Sequence, residues 1–384
     1  MSTPDLTVLI PTCDRPQTLR HCLETVVAQD HPGLEIVVSD NAGDPETGEV
    51  IRSFSDPRLR ALRMPERLGM SEHWEVALGE TRGEWVTVIG DDDGLMPGAV
   101  SRFLKLAGER DLDAYATMHC GYLWPGAYEK VGACVMARWG QKFEIRESRE
   151  WLTKVVRGER GYGDLPCIYT GGFVKREVME EIKRRTGRYF SSIIPDVYSG
   201  LAVASVLPRF GYTEEPFAIE GTSPVSNGRT VFKPGAEKEG LPKLFQEGVL
   251  RFHPTLGNGN VPSISLMVYE CYLQSMPLRD YEVDTGLADQ LEIAMSAPKR
   301  SHRARVEEYC REVAESNGLD FDSVLKRSRR KSFRRNLRKK LTKILPGNDR
   351  VEGVSQERLK DESIDNVGKA AVRLGEMVGR NGRH

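Results

Sequence analysis

Over roughly its first 100 residues the sequence switches between two periodicities at a steady pitch, and that alternation restricts the fold more than any single motif. Short β-rich runs occur at Leu6–Ile10, Leu34–Val38, Leu59–Leu62 and Trp85–Ile89. Between them lie segments with helical spacing: Arg15–Gln29, whose apolar positions are Leu19, Cys22, Leu23, Val26 and Val27, then Glu46–Phe54 and Ser71–Gly79. Strand and helix in this rhythm form βαβ units, hence a mostly parallel sheet covered by helices on both faces. The fourth run is apolar on both faces except for Thr87, as a doubly covered strand requires. In such sheets ligands gather at the carboxyl ends of the strands.

The middle of the chain is less regular. Asp113–Gly121 and Tyr128–Met136 read as strands, Arg149–Val156, Lys175–Arg185 and Asp196–Val206 as helices, and Pro216–Glu220 as a last strand. Beyond about Gly221 the spacing predicts helices at Ser263–Gln274, Leu287–Met295 and His302–Ser316. A cationic segment begins near Val324, and a polar tail follows Pro346-Gly347 to His384. The expected division is a domain over 1–225, a helical extension over 226–323, and a basic amphipathic segment with a polar tail over 324–384.

Apolar residues make up 39% of the chain, enough for a sizeable core, yet no run of about 18 apolar residues marks a membrane-spanning helix. Met1–Leu6 lacks the basic-then-apolar pattern of a signal peptide. The seven cysteines are odd in number and never spaced as C-x-x-C, which disfavours a disulfide framework and a structural zinc site. A cytoplasmic location is the expectation that follows.

Three consecutive carboxylates, Asp91-Asp92-Asp93, follow the fourth strand directly, between Gly90 and Gly94. Adjacent acids at a strand end repel one another. A hard divalent ion relieves that repulsion and can also hold a diphosphate; a solvated acidic turn is the plain alternative. The second strand also ends in an acid, Asp40-Asn41, and the first in Pro11-Thr12-Cys13-Asp14-Arg15. Three parallel strands thus deliver polar groups to one edge. Pro11 and Thr12 leave backbone groups free at a strand tip, suited to a flat base edge, and Asp40 can accept from a base N–H or from ribose.

Val8-Leu-Ile-Pro-Thr-Cys-Asp-Arg-Pro16, Leu19, Leu23 and Gln29, Glu35-Ile-Val-Val-Ser-Asp-Asn41 and Gly83-Glu-Trp-Val-Thr-Val-Ile-Gly-Asp-Asp-Asp93 together resemble a family 2 glycosyltransferase, over roughly residues 5–110 and more loosely to about 230. The resemblance implies the GT-A nucleotide-sugar-binding fold: an α/β, Rossmann-like, mostly parallel sheet flanked by helices, here with a C-terminal helical extension. It implies that Asp40 recognises base or ribose, that Asp92 and Asp93 belong to a D-x-D element, and that Asp93 is the ligand of a Mn²⁺ or Mg²⁺ ion bridging the diphosphate. Arg67 lies where members often place a nucleotide contact. Pro11, Thr12, Arg15, Asp91 and Asp92 complete the expected donor site. Gly171 and Gly172 join it, because Tyr169-Thr-Gly-Gly-Phe173 resembles the segment lining the donor-sugar and acceptor pocket.

An inverting transfer also needs a carboxylate to deprotonate the acceptor hydroxyl. Asp196 opens a helix just after Pro195, about 100 residues beyond the triplet, where similar enzymes carry that acid. An acid interacting with the helix dipole is the plain alternative, and Glu214, Glu215 and Glu220 are further candidates. Two departures stand out. The family often reads Asn-Trp where this chain has His73-Trp74, and His73 is expected on the helix surface or at its cap. In Gly221–Gly228, where relatives often place a histidine, Val225 falls instead.

The expected activity is metal-dependent, inverting transfer of a sugar from a nucleoside-diphosphate sugar, with UDP the expected nucleotide, to an acceptor hydroxyl in bacterial surface glycan or polysaccharide synthesis. The acceptor is a glycan, lipid-linked or a small molecule; a protein acceptor is the alternative. A sugar-phosphate nucleotidylyltransferase would want a Gly-rich basic loop after the first strand, which Pro11–Arg15 lacks. A non-catalytic binding or scaffold protein on the same fold is the rival from another class.

Charge is distributed unevenly. Lys326 to Lys343 holds eleven Lys or Arg and no acid, which leaves 44 basic against 56 acidic residues elsewhere, a net of −12. Phe333, Leu337, Leu341 and Leu345 recur at four-residue intervals within it. Such a stripe among cations suits peripheral contact through 326–345 with the inner face of the plasma membrane. Packing on the acidic body or on a second copy, as in a homo-oligomer, is the rival; no specific nucleic-acid partner is expected.

Overall fold

In the computed structural model the described residues are 3–128, 131–226, 248–257, 263–296, 298, 300–344 and 354–381, with the backbone alone at 300, 334–344 and 381. Strands β1 (Leu6–Thr12), β2 (Leu34–Asp40), β3 (Leu59–Arg63) and β4 (Trp85–Val88) alternate with helices α1 (Pro16–Val27), α2 (Pro45–Arg52) and α3 (Met70–Gly79). The strands run parallel in the order β3-β2-β1-β4. Every residue of β2 is buried, as a strand covered on both faces must be. Pro16 and Pro45 open their helices, where a missing N–H is harmless.

Beyond β4 the sheet becomes mixed. Strand β5 (Gly94–Leu95) and helix α4 (Ala99–Gly108) lead to β6 (Ala114–Leu123), β7 (Cys134–Trp139) and β8 (Phe143–Glu147). Helix α5 (Ser148–Val156) precedes β9 (Gly172–Lys175), which lies antiparallel between β4 and β6. Helices α6 (Arg176–Thr186) and α7 (Pro195–Val206) lead to β10 (Arg209–Thr222), which runs parallel to β6 and antiparallel to β5 and β8. Pro216 sits at a register shift within β10 rather than at its start, so the strand begins earlier than the sequence suggested. The strand expected at 128–136 begins only at Cys134, after an isolated Tyr128–Val131 bridge.

Alternation along β1 separates two cores. Leu6, Val8 and Ile10 face α1 and α4, whereas Leu9 faces α3, α6 and α7. The extension packs on the latter side through α8 (Ile264–Gln274), α9 (Leu287–Ser296), α10 (Arg303–Ser316) and the first half of α11 (Phe321–Ile344). No helix among the described residues is long and apolar enough to cross a membrane.

The last part of the chain corrects the sequence reading. Instead of a polar tail, residues 355–360 form β11 (Ser355–Lys360), antiparallel to β7 at the sheet edge. Helix α12 (Val367–Asn381) then buries Val367, Ala370, Leu374 and Met377 in the core beneath α1. The Tyr122 hydroxyl donates to the Ile364 carbonyl at 2.6 Å and fixes the connection.

His73 is likewise not on the surface. It is buried, with Nε2 2.8 Å from the Ser39 hydroxyl, and burial lowers its pKa from 6.5 to about 4. The unfolded chain therefore takes up a proton that the folded one refuses. Stability from this group is full above 6.5 and is lost as pH falls toward about 4. Denaturant unfolding across that window is expected to show the loss, and His73→Gln to flatten it; an unchanged slope would assign the pH dependence to other groups.

Candidate active site

The carboxyl ends of β1, β2 and β4 meet as the alternation requires. Thr12 Oγ1 donates to Asp91 Oδ2 at 2.7 Å, and Arg15, at the start of α1, donates to Asp91 Oδ1 at 3.1 Å. All three triplet acids are buried, but their side chains diverge. Asp92 accepts from the Ser226 hydroxyl and, at 3.3 Å, from the Ser223 N–H, while its carbonyl accepts from Trp124 Nε1 at 2.9 Å. Asp93 accepts from the Gly90 N–H at 2.8 Å, Thr170 Oγ1 at 2.9 Å and the Gly221 N–H at 2.7 Å. Burial, helped by the neighbouring Asp92 charge, pushes Asp93 up to about 7. Burial also raises Asp91, against the pull of Arg15.

No group of three or more His, Cys, Asp or Glu side chains converges on a metal position among the described residues. Oxygens do border the space where Gly90 has no side chain. A Cβ there would lie 2.8 Å from Tyr169 Oη, 3.0 Å from Asp93 Oδ2 and 3.2 Å from Asp92 Oδ1. Two carboxylates and a phenol oxygen fit a hard cation that takes its remaining ligands from a diphosphate and water.

Asp40 is buried and already engaged: it accepts from the Gly43 N–H at 2.8 Å and pairs with Arg63, which also donates to the Gly43 carbonyl at 2.8 Å. Sequence reading missed Arg63, although the parallel register that sets Asp40 beside it was the available signal. Arg67 pairs with Asp14 on the rim. Asn41 fixes the loop before α3 by donating to the Leu68 carbonyl at 2.8 Å and accepting its N–H at 2.9 Å.

The segment ahead of β9 continues the sheet past the end of β4. The Val88 N–H donates to Ile168 at 2.8 Å, and the Thr170 N–H donates to Val88 at 2.9 Å. This path carries Tyr169 and Thr170 to Asp93, and the Tyr169 ring lies 5.6 Å from Trp74 of α3. Gly171 has φ +95°, and a Cβ on Gly172 would meet the Cys167 carbonyl at 1.3 Å, so both glycines are demanded by the backbone itself. Tyr169 and Thr170 were overlooked because only the glycines drew notice.

Asp196 lies in the first turn of α7 behind Pro195. Burial raises its pKa against the opposing effect of its own and the Val197 backbone N–H groups, and no cation pairs with it among the described residues. Tyr162 and Cys167 stand in its field, and their own pKa values rise mainly through burial and partly through Asp196. The approach to α7 is pinned from two sides. Ser71 Oγ of α3 donates to the Ser192 carbonyl at 2.6 Å, and the Ser192 hydroxyl donates to the fully buried Glu270 of α8. Glu270 went unnoticed; an acid inside the apolar run Leu266–Leu273 was its signal.

The alternative acids are engaged elsewhere. Glu214 accepts from the Lys142 N–H at 3.2 Å, Glu215 pairs with Arg102, and Glu220 pairs with His119 at 3.1 Å. Val225 is exposed, so within 221–226 Ser226, not a histidine, reaches the triplet; residues 227 and 228 lie outside the described residues.

Residues 7–159 match the family model described as glycosyl transferase family 2. The chain is 32% identical over 109 residues to the GalNAc(5)-diNAcBac-PP-undecaprenol beta-1,3-glucosyltransferase of Campylobacter jejuni, a match covering 28% of this chain and 35% of that protein. It is 21% identical over 189 residues to the glycosyltransferase GlyG of Streptococcus pneumoniae, covering 48% and 61%. The match thus spans about a third of the first relative and under two thirds of the second. Among solved structures, S. aureus TarS 1-349 in complex with UDP-GlcNAc is 12% identical with a TM-score of 0.48, over 86% of this chain and 92% of that one.

Proposed function

Because residues 7–159 belong to glycosyl transferase family 2, we propose that this chain transfers a sugar from a nucleoside-diphosphate sugar to an acceptor hydroxyl, with inversion at the anomeric carbon and UDP as the nucleotide. The carrying observation is the contrast between the buried Asp91 and Asp93 and the half-buried Asp196. Asp91 is offset by Arg15 and Asp93 is held by three donors, whereas Asp196 has no cationic partner among the described residues and a proton affinity raised by burial. A carboxylate in that state is suited to take the proton of an attacking hydroxyl.

In this reading Asp196 removes the acceptor proton. Pro11, Thr12, Asp40 and Arg67 hold the nucleoside side, and Gly171 and Gly172 let the Tyr169 segment approach the donor sugar. Arg15 and the α1 N-terminus face the phosphates. Asp92 and Asp93 would hold a divalent ion, Mn²⁺ or Mg²⁺, which when bound neutralises the departing diphosphate. The product class is a bacterial surface glycan or polysaccharide, and the Campylobacter relative's name, with its undecaprenol-linked acceptor, supports a lipid-linked one. A cytoplasmic place of action belongs to the same reading.

The test is a nucleotide-sugar panel read by thermal unfolding and by nucleoside-diphosphate release, with and without Mn²⁺. One donor is expected to raise the unfolding midpoint in a Mn²⁺-dependent way; ligand at about 100 times its dissociation constant stabilises by about 2.7 kcal/mol. Release of UDP with acceptor present, and an inverted anomeric signal by NMR, would complete the assignment. Pyrophosphate release from a nucleoside triphosphate and a sugar phosphate would overturn it for a nucleotidylyltransferase. No response to any nucleotide sugar would leave a scaffold.

A further inference from the structure

Helix α11 is partly buried in its first half and becomes exposed by Phe333. In its first half Phe321, Val324 and Ser328 are buried. Arg327 reaches Asp289 at 3.8 Å and Glu292 at 3.4 Å, and Lys331 reaches Glu292 at 3.5 Å, so the acids that α9 offers are taken there. Two residues later Phe333 is 69% exposed. The backbone continues as helix to Ile344, through a sequence with Arg334, Arg335, Arg338, Lys339, Lys340 and Lys343 and no acid. Leu337 and Leu341 follow Phe333 at helical spacing; Leu345 lies outside the described residues. Beside Phe333 is an open hollow of about 640 Å³ lined by Asp322, Leu325, Lys326, Arg329, Arg330 and Phe333. Lys326, Arg329 and Arg330 make no ion pair among the described residues.

We propose that α11 docks on an anionic lipid surface through Lys326, Arg329, Arg330 and the cations from Arg334 to Lys343, which meet phosphodiester headgroups while Phe333 enters the acyl boundary. Charge complementarity selects the occupant. A run of cations without acids gains from each anionic headgroup in reach, and a large exposed aromatic gains only if the same surface has an apolar layer beneath its charge. A nucleic-acid backbone would satisfy the cations and leave the exposed Phe333 without a role. The proposal stands apart from the catalytic reading, and its test needs no turnover.

Cutting the chain ahead of α11 is not usable, since it would also delete β11 and α12 from the sheet. The full chain is instead sedimented at physiological salt with vesicles of phosphatidylcholine alone and of phosphatidylcholine with phosphatidylglycerol. It is expected to pellet only with the anionic vesicles. Arg334→Gln, Arg338→Gln and Lys339→Gln together are expected to weaken partitioning about 100-fold, and Phe333→Ser to weaken it further, with thermal unfolding unchanged in both. Equal pelleting with neutral vesicles, undiminished binding by the triple variant, or retention in the supernatant while an RNA oligonucleotide is bound would each overturn the proposal.

Discussion

Asp196→Asn is expected to lower turnover by about 10²–10⁴-fold while leaving nucleotide-sugar affinity nearly unchanged. The substitution keeps the size of the side chain and removes its ability to accept a proton. Because burial raises the Asp196 pKa, the wild-type rate is expected to climb with pH through a value above the ordinary 3.8 of an aspartate and then level off. The folded chain holds that proton more tightly than the unfolded one, so this group's contribution to stability falls as pH rises through the raised pKa. The Asn variant is therefore expected to lose the acid limb of the rate profile and to unfold no more easily than wild type at neutral pH. A variant that instead loses donor binding would make Asp196 a structural acid, and Glu220, whose charge also reaches Tyr162, would be tested next.

Asp93→Ala is expected to abolish transfer and Mn²⁺-dependent nucleotide binding, and also to weaken the fold. The Gly90 N–H, the Gly221 N–H and Thr170 Oγ1 would lose their acceptor together, at about 1–3 kcal/mol for each buried group left unsatisfied. Denaturant unfolding beside the nucleotide-binding assay separates the two effects. Asp92→Asn serves as the companion: its partners are Ser226 and Ser223, and it is expected to lose metal-dependent binding with a smaller change in stability. Turnover near the wild-type rate in Asp93→Ala would remove the triplet from the active site.

The parallel half of the sheet could be read from the chain because strand burial and helical periodicity are local properties. The strand ends that meet at the cleft followed from that topology. What the triplet does there did not, since adjacency along the chain says nothing of direction: Asp91 turns to Arg15, Asp92 to Ser226 and Asp93 to Gly221. The surroundings of Asp196 include Tyr162 and Cys167, which only the fold gathers. Strand β11 was hidden for a different reason. Ser355–Lys360 has no buried face and is held by its backbone ladder to β7, so it carries no apolar alternation to detect. Helix α12 did carry a spaced apolar set, masked by its polar surroundings.

The β7–β11 pairing has a consequence for biosynthesis. Arg358 stands opposite Met136, 222 residues further along the chain. At about 5–20 residues per second, the ribosome delivers that partner roughly 10–45 s after β7 has been made. During that interval the nascent sheet presents an open edge next to the apolar surface that α12 will later cover. A chain released or stalled before Ser355 would carry that exposed edge permanently, and its fate would fall to chaperones and proteases rather than to the chemistry at the other end of the strands.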